Sequence, residues 1–142
     1  MKVSDIMTDR IITVGQLEPV SAAARLMKRH NLGALPVCDD EGRLRGMITD
    51  RDIVTRCVAG DLDPADTRIR EIMSRGITTC RADEDVDDIL RSMGAEQVRR
   101  LPVTDSGRVV GVVSLGDLAR NHLFSMEAAE ALGEISSNIL RR

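Results

Sequence analysis

Two short runs carry the residue types with the clearest chemical potential. Thr49 stands three residues before Asp52 and Ser114 three before Asp117, each where a strand-like apolar run passes into a helical one. Free N–H groups and the positive end of a helix suit a phosphate, and a carboxylate can accept two hydrogen bonds from vicinal hydroxyls. The same spacing is also a capping box, which satisfies the orphan donors of a helix start with no ligand at all. Both readings stay open on these residues alone. Arg51, inside Thr49-Asp50-Arg51-Asp52, is either a phosphate contact or an exposed helix position. Arg99-Arg100 precedes Leu101-Pro102, where the matching residues of the first half are the uncharged Gly33-Ala34. Arginine suits bidentate phosphate recognition, and a surface pair is equally an ordinary solvated charge. Thr13 and Thr79 offer hydroxyls, but Thr is also a good strand former.

No catalytic set emerges, and no metal site. His30 and His122 stand alone, and Cys38, Cys57 and Cys80 show no C-x-x-C spacing, so free thiols are expected rather than a disulfide framework or a zinc knuckle. A redox pairing of Cys38 with Cys80 would need the two close in space. A phosphate-binding G-x-x-x-x-G-K-[ST] loop, a G-x-G-x-x-G turn, a nucleophile elbow and an H-E-x-x-H pair are all missing from the chain.

The elements that must position the two runs come from an internal repeat. Asp5-Ile6-Met7 returns as Glu71-Ile72-Met73 at a shift of 66, which also carries Thr13 to Thr79, Met27 to Met93 and Leu35-Pro36-Val37 to Leu101-Pro102-Val103. Past that point the shift falls to 65, matching Gly46 to Gly111 and Asp52 to Asp117, so one residue was lost in a turn. Each copy reads as a lead-in, a helix, a strand, a turn, a second strand and a second helix. Val20, Ala24 and Met27 fall on one helical face, with a stop at Asn31-Leu32-Gly33. Asp39-Asp40-Glu41-Gly42 turns the chain into a strand over Leu44 to Ile48. In the second copy Asp83-Glu84-Asp85 caps a helix whose apolar face is Val86, Leu90 and Met93, and Ser106-Gly107 turns the chain into Val109 to Val113.

The boundaries that follow are repeat 1 over 1–60, a polar linker over 61–67, repeat 2 over 68–122 and an added amphipathic helix over 123–142. A unit of about 60 residues buries too little surface to be comfortable alone, so the two should pack together. In the last segment Phe124, Ala128, Leu132, Ile135 and Ile139 form an apolar stripe, assigned to a dimer contact in preference to its own module. Glu127, Glu130 and Glu134 oppose a membrane-surface role.

Composition limits the partners. With 142 residues, 42% hydrophobic, and a net charge of −3, the chain is a poor match for a nucleic-acid binder. No apolar run approaches the roughly 20 residues of a membrane helix, and the start shows no signal-peptide apolar region, so a cytoplasmic protein is expected. Phe124 is the sole aromatic residue, so a bound base would have to lie between aliphatic side chains and backbone.

The D-I-M lead-in, which returns as E-I-M, with L-P-V before an acidic turn and G-x-[IV]-[TS]-x-x-D closing the second strand, both present twice over residues 1–122, resembles the CBS domain family, and its short stand-alone bacterial members most. The resemblance implies an α/β (α+β) fold of two tandem repeats, each a small sheet with flanking helices, packed as one pseudo-symmetric module with clefts that often hold AMP, ATP or related ligands. It implies that Thr49 and Ser114 contact phosphate, that Asp52 and Asp117 hold the ribose diol, and that Thr13 and Thr79 touch the nucleotide. Ile12 and Thr78 would line the base, Arg99, Arg100 and Arg51 would reach phosphate, and Pro36 and Pro102 of the L-P-V strands complete the set. The expectation is a non-enzymatic regulator that needs no cofactor, takes an adenine nucleotide as regulatory ligand, forms a homodimer and acts on a separate protein. The alternative is a constitutive dimeric adaptor that kept the fold and lost the ligand.

Overall fold

The computed structural model describes residues 1–119 and 125–140, the last helix by its backbone alone at 125–128 and 138–140. Two cores form, and neither is built from one repeat. The contiguous unit is Ile12–Ile77; the composite unit joins Met1–Ile11 to Thr78–Arg142. Among the described residues each holds one three-stranded sheet of mixed direction.

In the contiguous unit β1 (Val14–Gly15) runs parallel to β2 (Ala34–Cys38), and β2 turns back antiparallel into β3 (Leu44–Thr49). The helix α1 (Val20–His30) makes the crossover that a parallel pair needs. It buries Val20, Ala23 and Met27, so the inward face is turned one position from the expected one and Ala24 is half-buried. Asn31, at φ 54°, ends the helix, a left-handed conformation that asparagine tolerates better than most side chains. Leu35, Val37 and Ile48 are fully buried on one sheet face, as the two-residue strand period requires.

Pro36 sits inside a strand, which normally deletes a ladder bond. Here Gln16 N–H donates to the Cys38 carbonyl, so alternate residues of β2 turn their backbone toward β1. Pro36, two residues earlier, faces the place where β1 has not yet begun to pair, and its missing N–H breaks no ladder bond.

β3 continues through α2 (Asp50–Asp52) into a π-helical stretch, Ile53–Val58, and a short α3 (Ile69–Ile72) follows the acidic turn. The composite unit repeats the plan with β4 (Cys80–Arg81), α4 (Val86–Glu96), β5 (Arg100–Asp105), β6 (Arg108–Ser114) and α5 (Leu115–Ala119). Asp85 caps α4, its side chain accepting from Asp87 N–H at 3.0 Å, and Val86, Leu90 and Met93 are all buried. The residue missing from the second copy is in the hairpin, where Ser106 and Gly107 at φ 52° and 81° make a two-residue turn.

The lead-ins are exchanged between the repeats. Ile69, Ile72 and Met73, which open the second repeat, pack in the core of the first with Leu35 and Ile48. Val3, from the start of the chain, is fully buried with Leu101, Val113 and Leu118 of the second. Burying side chains of this size stabilises by about 1.5–3 kcal/mol each. Met47 and Ser74 exchange backbone hydrogen bonds at 3.0 and 2.9 Å, as do Thr8 and Val112 at 2.9 and 3.0 Å, so each lead-in lies along the outer strand of the other repeat's hairpin. The approach explains the two motif glycines. A β-carbon on Gly46 would lie 2.5 Å from the Ser74 carbonyl oxygen, and one on Gly111 2.7 Å from Met7 Sδ.

The C-terminal helix α6 (Ser125–Leu140) puts Ala131 and Ile135 into the composite unit's core, each 4% exposed. Of the stripe residues with described side chains, Ile135 is thus buried within the chain, where small residues at Gly94 and Ala131 let α6 approach α4 closely. Leu132 remains exposed. Phe124 and His122 lie outside the described residues, as do the side chains of Ala128 and Ile139.

Candidate ligand site

The register of each sheet brings the chemistry-bearing residues to one end of it. In the contiguous unit Ala34 pairs with Thr49 and Pro36 with Met47, while Thr13 is the residue that leads into β1. Thr13, Pro36 and Thr49 thus share the end of the sheet where β2 starts and β3 finishes. The Asp50 N–H donates to the Gly33 carbonyl at 3.0 Å and fixes the helix entry against the start of β2. Ile12, half-buried, packs against the core beside them.

At this junction the capping box is closed. Thr49 Oγ1 accepts from Asp52 N–H at 3.0 Å, and Asp52 Oδ2 accepts from Thr49 N–H at 3.0 Å. Asp52 is only 8% exposed, so its charge needs this compensation. The second oxygen, Oδ1, faces Arg56 Nε at 3.9 Å, an ion-pair distance but not a hydrogen bond, and keeps acceptor capacity. Arg51, in the first turn of α2, is exposed, and its guanidinium makes no hydrogen bond or ion pair among the described residues.

The composite unit is built alike. Thr79 leads into β4, Arg100 pairs across the hairpin with Ser114, and Pro102 pairs with Val112. Leu115 N–H donates to the Arg99 carbonyl at 2.9 Å, the counterpart of the Asp50–Gly33 bond, and Asp117 N–H donates to Ser114 Oγ at 3.1 Å. Arg99 and Arg100 are exposed and make no side-chain hydrogen bond or ion pair among the described residues. Thr78 is half-buried and Thr79 exposed.

The cysteines are free and buried. Burial and the Asp39 charge raise the Cys38 thiol above its ordinary value, against a hydrogen bond with the Thr13 hydroxyl. Burial, with the Glu84 charge, pushes Cys80 up to about 12. Cys80 Sγ lies 3.9 Å from the Pro102 carbonyl oxygen. These surroundings hold both groups as thiols rather than the reactive thiolates. Among the described residues no three His, Cys, Asp or Glu side chains are grouped to hold a metal ion.

A family model for the CBS domain matches residues 3–59 and again 69–123. The chain belongs to the CBS domain family. As a CBS pair it is 41% identical over 134 residues to the CBS domain-containing protein YhcV of Bacillus subtilis, covering 94% of each chain. It is 42% identical to Hypoxic response protein 1 of Mycobacterium tuberculosis over 117 residues, 82% of each chain, in keeping with the resemblance to short bacterial members. The crystal structure of Hypoxic Response Protein I with two coordinated zinc ions superposes with a TM-score of 0.79 at 40% identity, over 85% of this chain and 98% of that one. The CBS domain pair of protein MJ0100, solved in complex with 5-methylthioadenosine and S-adenosyl-L-methionine, superposes with a TM-score of 0.76 at 34% identity, over 89% of this chain and 98% of that one.

Arg56 was not among the residues that the sequence singled out. The signal was available, since an acid and a base four residues apart on one helix face each other.

Proposed function

We propose that this CBS pair is a regulatory module that binds an adenine-containing nucleotide of the AMP, ADP or ATP class and passes the binding on through its conformation to a separate protein. The reading rests on one observation: a hydroxyl and a carboxylate three residues apart stand at the strand-to-helix junction of both units, in a fold whose MJ0100 relative holds two adenosine compounds. In this reading Thr49 and Ser114 take phosphate, Asp52 and Asp117 the ribose hydroxyls, and Ile12, Thr13, Thr78, Thr79, Pro36 and Pro102 surround the nucleoside. Arg99, Arg100 and Arg51 add charge for phosphate. The ligand is regulatory, the chain catalyses nothing and it works as a cytoplasmic homodimer.

A ligand can shift a conformational equilibrium only by its differential affinity for the two states, so binding must come first. Thermal denaturation against AMP, ADP, ATP, NAD and S-adenosylmethionine tests it. At 100 times the dissociation constant, binding to the folded state alone adds about 2.7 kcal/mol of stability. Unchanged melting with every compound at millimolar concentration would leave the second reading, a ligand-free dimeric adaptor. The closed capping box at Thr49–Asp52 favours that reading, because it satisfies Asp52 with nothing bound.

A further inference from the structure

Arg56 is a half-exposed side chain anchored at both ends of its guanidinium. Its Nε lies 3.9 Å from Asp52 Oδ1, and its Nη1 donates to the Ile72 carbonyl at 3.0 Å and the Met73 carbonyl at 3.4 Å. Those carbonyls close α3, whose last turn leaves them without an intrahelical partner. One residue further on, Ser74 is paired with Met47 of β3, and three residues beyond that the chain leaves the contiguous unit at Ile77. One arginine therefore touches the candidate ribose-binding acid and the exchanged segment together.

Local backbone geometry makes the reach possible. Ile53–Val58 is a π-helix, with Ala59 N–H bonded to the Val54 carbonyl five residues back. The wider turn sets Arg56 beside α3 while keeping it four residues from Asp52, and π-turns of this kind recur at functional sites. The relay is one-sided in the sequence: the residue matching Arg56 in the second repeat is Asn121, which brings no charge.

We propose that Arg56 is the positioning residue that couples the Asp52 carboxylate to the Met73–Ser74 segment, so that engagement of Asp52 is felt by the chain as it leaves the contiguous unit. The inference rests on the nucleotide reading for its physiological use, but its mechanics can be tested without any ligand. When Asp52 turns its Oδ1 to a ribose diol, Arg56 loses a counter-charge and its hold on the α3 carbonyls changes. The effect then reaches the Met47–Ser74 bridge.

The test is amide hydrogen exchange by NMR on the full chain, read at Met47 and Ser74 against the β2–β3 ladder as an internal standard. The proteins are wild type, Asp52→Asn, Arg56→Met and the double variant, all without ligand. Asp52→Asn should change exchange at the two bridge amides by about threefold or more, the size that coupling between contacting residues produces. The same substitution should change nothing there when Arg56 is already Met. Additive effects in the double variant would overturn the relay. Arg56→Lys keeps the charge and loses the planar fork, and it should behave as Arg56→Met at these amides while melting like the wild type. A wild-type response in Arg56→Lys would overturn the relay as well. Saturating AMP supplies the second arm: it should alter exchange at Met47 and Ser74 in the wild type and not in Arg56→Met. If AMP does not bind the wild type by calorimetry, the nucleotide reading fails while the ligand-free cycle still decides the role of Arg56.

Discussion

Replacing Asp52 with alanine separates the two roles that its position allows. In the unliganded protein the substitution removes the Oδ2 bond to Thr49 N–H and the 3.9 Å pair with Arg56. The reciprocal bond survives, since Asp52 donates it through its backbone N–H to Thr49 Oγ1. Loss of a cap costs typically about 1 kcal/mol, and an ion pair with a half-exposed arginine adds between roughly 0 and 1 kcal/mol. The expected loss of stability is therefore about 1–2 kcal/mol, a fall in melting temperature of roughly 3–8 °C for a chain of this size. If Asp52 also holds a ribose diol, binding loses hydrogen bonds to a charged acceptor worth about 1.5–3 kcal/mol, an affinity for AMP weaker by roughly 10- to 150-fold. Calorimetry at a temperature where both proteins are folded measures it. A second ligand then isolates the contact. Wild type should bind 2′-deoxy-AMP more weakly than AMP, and Asp52→Ala should bind the two alike. A protein that melts lower but binds AMP as the wild type does would show that Asp52 is a capping residue and nothing more.

Three further outcomes follow from the structure. The double change Arg99→Ala, Arg100→Ala should cut the preference for AMP over adenosine and its salt dependence, measured by calorimetry, because these exposed side chains carry unpaired charge beside Ser114. Cys80 should resist iodoacetamide at pH 8 until the protein unfolds; with the folded thiol near 12 and its ordinary value at 9.0, the unfolded chain releases its proton first, so stability should fall as pH rises from about 9 toward 12 in denaturant titrations. Gly46→Ala should destabilise by about 1–3 kcal/mol by driving a methyl into the Ser74 carbonyl, while Gly133→Ala, exposed in α6 with open space around it, should stabilise by about 0.5–1 kcal/mol in urea denaturation.

The repeat made the elements legible, because a 3.6-residue period at Val86, Leu90 and Met93 and a two-residue period at Leu35 and Val37 are properties of the chain alone. Ala24 was misplaced and Ala23 took its role, since alanines next to each other give the period nothing to discriminate. The lost turn residue was readable from the change of shift between Val103 and Gly111. The exchange of lead-ins was not. Asp5-Ile6-Met7 and Glu71-Ile72-Met73 differ only by one acid for another, and Gly46 and Gly111 are both glycine, so the local pattern does not say which lead-in covers which sheet. The choice depends on long-range packing, which no local pattern records. The capping box at Thr49 was readable as a box, but the sequence could not tell whether it closes without a ligand. The π-turn that brings Arg56 to α3 leaves no periodic trace, because it is a single local widening.

The exchanged lead-ins also set an order of events during synthesis. The contiguous unit has all its residues once Ile77 is made, and its lead-in bridge, Met47 to Ser74, spans 27 residues. Thr8 must wait for Val112, a span of 104 residues, and that near-fourfold longer loop costs about 1.2 kcal/mol more to close. At ~5–20 residues per second, roughly 5–20 s separate the making of Ile11 from that of Ala119. Throughout that interval Val3, Ile6 and Met7 have no sheet to cover and are open to chaperones or to the lead-in site of another nascent chain. A tag or truncation at the N-terminus would therefore be felt at the far end of the chain, in the unit that is completed last.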